Sequence, residues 1–140
     1  MHERRIALTT TAVVVFAVTT VIAAGQKAAD DPWTIPAGAS QEANPIAASP
    51  AVVAKGKKIF ESKCQRCHGK DGAGHGPEAD PEHPAGNFTD RLRVAFNPDG
   101  VMFYKIWNGR ESPKMPSFRK EGLSKEDVWT VIHFVKTFRK

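Results

Sequence analysis

Cys64-Gln65-Arg66-Cys67-His68 is the stretch on which the reading of this chain turns. Two thiols three positions apart, followed at once by a histidine, form the pattern of covalent c-type haem attachment. The thiols add across the two vinyl groups of one porphyrin, so they must stand a short, fixed distance apart. The histidine then ligates the iron from the same side. Positions i, i+3 and i+4 of a helical turn share one face, and Cys64, Cys67 and His68 have that spacing. The predicted cofactor is one haem c, bound through Cys64 and Cys67, with His68 on the metal. A zinc site would need two more ligands, as a second Cys pair or a spaced His pair. The chain has only two cysteines, and His2, His75, His83 and His133 lack the spacing. A thioredoxin-type pair belongs in a βαβ pattern, whereas the flanks here are helical or Gly-rich.

The chain has 140 residues, and its net charge of +5 is uneven. Residues 1–50 hold three Lys/Arg against four Asp/Glu; residues 51–140 hold seventeen against eleven. A basic domain is steered toward acidic partners. The cations are scattered and no recognition motif accompanies them, so nucleic acid is not a predicted partner.

Arg4 and Arg5 precede an uncharged apolar stretch, Ile6 to Ala24, diluted by five threonines and closed by Ala23, Ala24 and Gly25. Residues 1–25 therefore read as a signal peptide or an N-terminal membrane anchor. Either way the basic end stays in the cytoplasm and the rest is exported, to the periplasm, soluble or tethered to the inner membrane by residues 6–24. Residues 26–50 are a Pro/Ala-rich linker with no apolar period, expected to act as a semi-extended tether or a surface-hugging arm. Trp33 and Ile35 are its candidates for docking.

Residues 51–140 are left for one small domain, expected to be all-α, with three to four helices wrapped around the haem. The first helix spans roughly Ala51 to Cys64, with Val52, Gly56, Ile59 and Phe60 on one face. The second spans Pro98 to Asn108, capped by Asn97 and stopped by Gly109. The third runs from Lys125 to Phe138, where Ser124 with Asp127 gives a capping signal. Its apolar stripe is Val128, Trp129, Val131, Ile132, Val135 and Phe138, with Phe134 at the edge and His133 off it, facing solvent.

What fills the second axial position of the iron separates a carrier from a catalyst. Met115, between Pro113 and Pro116, is the best candidate: prolines restrict the backbone, and a soft thioether favours ferrous iron. Met102 reads as core filler. His75 and His83 lie in a Gly/Pro-rich loop.

These residues together resemble the single-haem class I c-type cytochromes of bacteria. The resemblance covers about residues 51 to 140. It is carried by Gly56-x-x-x-Phe60, the haem signature ending in Gly69, the Gly-rich loop Gly72 to Pro77, Asn108-Gly109, Met115-Pro116-Ser117-Phe118, and Leu123 to Trp129 with Phe134. It implies a first and last helix that cross, Gly56 and Phe60 against Phe134. It also implies Met115 as distal ligand, and a Pro77 carbonyl accepting a hydrogen bond from the free ring nitrogen of His68. Glu78 to Phe96 does not align with the family's propionate-binding positions, so no propionate partners are assigned.

The function so implied is that of a one-electron carrier in a respiratory or dehydrogenase chain: no enzyme, no small-molecule substrate, and redox protein partners with acidic docking surfaces. Lys70, Lys105, Arg110 and Lys114 are the cations expected around the haem edge. Two alternatives differ in kind: a haem enzyme or ligand sensor with a labile sixth position, and a fixed subunit of a larger membrane electron-transfer complex.

Overall fold

Ser49 and Pro50 open the first helix in the manner their residue types favour. Ser49 Oγ accepts from the Val52 N–H at 3.2 Å, and Pro50 takes the first helical position, where a missing N–H costs nothing. The structure is a computed structural model and describes residues 33–139. The leader at 1–25 and linker residues 26–32 lie outside the described residues.

Among the described residues there are five α-helices and no strand: α1 (Pro50–Lys63), α2 (Gln65–His68), α3 (Arg91–Ala95), α4 (Asp99–Asn108) and α5 (Lys125–Val135). Two 3-10 turns, Ala39–Gln41 and Lys136–Phe138, complete the set. The three expected helices are α1, α4 and α5, and the all-α expectation holds.

The crossing of α1 with α5 organises the core. Gly56 is buried at the contact. A Cβ there would stand 2.6 Å from the Thr130 carbonyl oxygen and 3.0 Å from Phe134 Cβ. Only hydrogen fits, so the helix gives up propensity at this position for close packing. One turn on, Phe60 is 1% exposed, its ring 5.3 Å from those of Phe134 and Phe138. This is the crossing that the resemblance implied. On α5, Val128, Trp129, Thr130, Val131, Ile132 and Val135 are buried.

The N-terminus of α5 is a full capping box. Ser124 Oγ accepts from the Asp127 N–H at 3.0 Å, and the Asp127 carboxylate accepts from the Ser124 backbone at 3.2 Å and hydroxyl at 2.7 Å. The helix ends at Val135, three residues earlier than expected, and tightens into the 3-10 turn. Helix α4 begins one residue later than expected. Its N-cap is Pro98, in extended backbone, so Asn97 stands one position too early to cap. The Asn97 amide instead donates to the Arg93 carbonyl at 2.8 Å, and its oxygen accepts from Lys105 Nζ at 2.9 Å. Phe103 of α4 stacks on Trp129 of α5 with centroids 4.3 Å apart.

Residues 33–49 hug this core as an arm. Ala39 is buried where Gly100 of α4 leaves room for its carbonyl. Asn44 Nδ2 donates to the Trp129 carbonyl at 2.8 Å, and His133 Nε2 donates to the Ile46 carbonyl at 2.8 Å. His133 is thus half-buried under the arm rather than solvent-facing. The periodicity of α5 could not reveal a partner supplied from the linker. No helix among the described residues is long and apolar enough to cross a membrane.

Two outcomes are expected. Gly56→Val overpacks the crossing and should lower the unfolding free energy by about 1–3 kcal/mol in urea titration; unchanged stability would contradict so close an approach. The Ser124 hydroxyl first, then the Ser124 amide and Lys55, hold the Asp127 carboxyl below its ordinary 3.8. A carboxylate that ionises more easily folded than unfolded stabilises above its unfolded value and ceases to as pH falls through its folded one. Ser124→Ala should cost about 1 kcal/mol near neutrality, and the gap from the native protein should narrow as pH drops below about 4, leaving the part that comes from the hydroxyl accepting the Asp127 N–H.

Candidate functional site

Phe60 fixes one wall of the site through the chain that follows it. The Cys64 N–H donates to the Phe60 carbonyl at 2.8 Å, the helix breaks there, and α2 restarts as a single turn. In that turn the Cys67 and His68 N–H groups both reach the Cys64 carbonyl, at 3.2 and 3.0 Å. Cys64, Cys67 and His68 all line one cavity of about 820 Å³, inside the range of about 300–1,000 Å³ usual for ligand and cofactor sites.

The Gly-rich loop that follows brings a second segment to the histidine. Gly74 N–H donates to the His68 carbonyl at 2.9 Å, Ala85 N–H to Gly74 at 3.1 Å, and Phe88 N–H to Gly72 at 2.8 Å. A Cβ on Gly74 would collide with the Ala85 carbonyl oxygen, and its φ is +92°. Glycine is what allows residues 85–88 to lie alongside. Their effect on His68 is twofold. Its Nδ1 lies 3.1 Å from the Gly86 carbonyl oxygen, and its ring stacks on Phe88 with centroids 4.5 Å apart. A carbonyl only accepts, so Nδ1 carries the proton and Nε2 is left as the bare nitrogen, the form a metal takes. Burial holds the imidazole below its ordinary 6.5, with the Gly86 bond pulling the other way.

The expected acceptor was the Pro77 carbonyl; the structure puts Gly86 there instead. Pro77 is exposed. Its neighbours are tied to the end of α2, Gly76 N–H to Cys67 at 3.0 Å and Glu78 N–H to Arg66 at 2.8 Å, which holds the segment against the backbone of α2. Gly86 and Phe88 were missed for a physical reason: an accepting carbonyl has no side-chain signature. The lone aromatic of the loop, in Pro84-Ala85-Gly86-Asn87-Phe88, was the available clue.

Met115 lines the same cavity. Arg110 and Met115 exchange both backbone hydrogen bonds, at 2.8 and 2.9 Å, as an isolated antiparallel bridge. Gly109 ends α4 at φ +65°, where a Cβ would meet the Met115 carbonyl oxygen. Ser117 Oγ donates to the Trp107 carbonyl at 2.9 Å, and Phe118 N–H to Ile106 at 3.1 Å. Both ends of the methionine turn are thus pinned to α4. Met102 also lines the cavity while buried in the core, its sulfur 3.2 Å from Arg139 Nη2. His75 is exposed and His83, though it lines the cavity, is exposed beside Asp80.

These residues fit a haem. The two free thiols, Cys64 and Cys67, are the groups that would become thioether sulfurs on attachment of a porphyrin. Burial, then the neighbouring Cys67, pushes the Cys64 thiol up to about 12, so this wall favours a neutral sulfur. Phe88, Met102, Ile106, Phe118 and Val135 give the cavity apolar walls. Seven cationic side chains line it against three acidic ones. Lys105, Arg110 and Lys114 are among them as expected, while Lys70 is not.

The model of the family described as cytochrome c oxidase, cbb3-type, subunit III matches residues 51–135. Among solved structures, a chain of the reducing HAO-like protein complex of Kuenenia stuttgartiensis is similar at 29% identity and a TM-score of 0.56. The match covers 69% of this chain and 47% of that one, so this chain spans about half of its length. No curated protein sequence matches.

Proposed function

The chain belongs to the class I c-type cytochromes, in the family of the cbb3-type oxidase subunit III, and on that footing we propose that it is an exported one-electron carrier. One haem c, attached through Cys64 and Cys67, would be held with its iron between His68 and Met115. The observation that carries this reading is the convergence of those four side chains on one cavity.

When bound, the haem supplies a metal centre that accepts and returns one electron, at a potential set by its axial ligands and its access to water. The chain does the rest. Gly86 and Phe88 fix the tautomer and the plane of His68. The Arg110–Met115 bridge and the two prolines limit how far the thioether can move between oxidation states, which keeps reorganisation small. Phe118, 4% exposed, and Met102 keep the interior dry. With His68 and Met115 both holding the metal there would be no open position for a substrate, which favours a carrier over a haem enzyme.

Export to the periplasm is supported by the residues before position 26: a basic start, an apolar run and small residues at its end. A cationic cavity rim, with Phe96 exposed beside it, suits a redox partner whose docking face is acidic around an apolar centre. A second reading, the fixed subunit of a larger complex, is favoured by the family's description and by a structural relative that comes from a complex.

The ferric protein, matured in cells able to attach haem c, should show the weak sulfur-to-iron absorption band near the red end of the spectrum. Met115→Ala should abolish that band and let the ferrous protein take up carbon monoxide, which the native protein should resist. A native protein that lacks the band and binds carbon monoxide readily would refute Met115 ligation. Association with an acidic redox partner should slow steeply as salt rises. A rate indifferent to salt would remove the steering, and stable co-purification with a partner would favour the subunit reading.

A further inference from the structure

We propose that Trp33 is a positioning residue for the methionine side of the cavity, acting through Arg110 and closing the cavity mouth to water. The inference rests on the reading of Met115 as distal ligand. The Arg110 guanidinium lies over the Trp33 ring, 4.5 Å from its centroid, and Lys105 Nζ lies 5.3 Å away. The indole itself lines the cavity that Met115 lines. Arg110 then reaches the methionine turn at two places. Its Nε donates to the Pro113 carbonyl at 2.8 Å, and its backbone exchanges both hydrogen bonds with Met115. One residue, through its side chain and its backbone, thereby joins a flat aromatic surface to the segment that carries Met115.

The chemistry suits the task. A planar guanidinium stacks on an indole and is more weakly hydrated than an ammonium, so Trp33 can hold Arg110 in one rotamer. The indole is delivered by anchored chain: Ala39 under α4, Asn44 on Trp129 and Ile46 on His133. The arm precedes residue 51, outside the stretch matched to the family.

In the haem-loaded, full-length protein, Trp33→Ala should lower the reduction potential and speed carbon monoxide uptake by the ferrous form about tenfold, a scale set by losing contacts of the cation–π class. Trp33→Phe, which keeps a ring beneath Arg110, should restore most of the native behaviour. Arg110→Lys keeps the charge but loses the planar stack and should move both readouts in the same direction as Trp33→Ala, and it serves if Trp33→Ala fails to accumulate. Ser124→Ala lowers stability away from the cavity and should leave both readouts alone, which separates positioning from mere destabilisation. If the native ferric band is present while Trp33→Ala and Arg110→Lys match the native potential and uptake rate, this proposal alone is overturned. If the native protein lacks the band, the Met115 reading is overturned and this one with it.

Discussion

The approach of two helix backbones at Gly56 is the constraint from which the haem site follows. A side chain at that position would strike the Thr130 carbonyl and Phe134 Cβ, so the absence of one sets how near α1 and α5 lie. Phe60 then fills the angle between them, against Phe134 and Phe138. Each helix delivers something from that fixed point. Helix α1 runs directly into Cys64, and α5 ends in the turn that carries Phe138 over Gly72, where a Cβ would meet the ring. Phe88 lies between, edge-on to Phe60 and stacked along Phe138 with centroids 6.3 Å from each. His68 is thus joined to the helix crossing by a run of aromatic rings, and its plane is set by the core.

The two sides of the cavity are built differently. On the histidine side, the geometry comes from packing: rings, a Gly-rich loop and one carbonyl. On the methionine side, it comes from hydrogen bonds in a short turn pinned to the end of α4, with an arginine bracing it. A thioether is a weak ligand that keeps its place only if the surrounding backbone does. An imidazole with its proton committed to Gly86 needs orientation more than restraint. The division matches what the two proposed ligands, His68 and Met115, would each require of the protein.

Much of this was legible in the residues because the signals were local. The spacing of Cys64, Cys67 and His68 is fixed by one helical turn, and Ser124 with Asp127 announces its own cap. The helix crossing was legible only through the family resemblance, since nothing in Gly56 itself names Phe134. What escaped was non-local. Asn97 reads as a cap until Pro98 is seen to take that role. The acceptor for His68 depends on which loop segment the glycines admit, and Gly86, eighteen positions on, offers only a backbone oxygen. His133 looked solvent-facing on a helical projection, because its partner Ile46 comes from a segment with no period of its own.

That last miss bears on what the folding unit is. A domain of about 90 residues buries a modest core, and its margin is correspondingly thin. Here the residues before α1 supply what the helices lack. Ala39 covers the start of α4, Asn44 adds a donor to the Trp129 carbonyl of α5, and the Ile46 carbonyl accepts a hydrogen bond from the half-buried His133 imidazole. A Pro/Ala-rich composition signals absence of regular structure, which is a different property from absence of contact. Prolines in a segment without a hydrogen-bond ladder reduce the entropy lost when it is laid down, and such a strap can be held by a few side chains. The same strap carries the indole of Trp33 over Arg110, so the segment that completes the core is continuous with the one that reaches the mouth of the cavity.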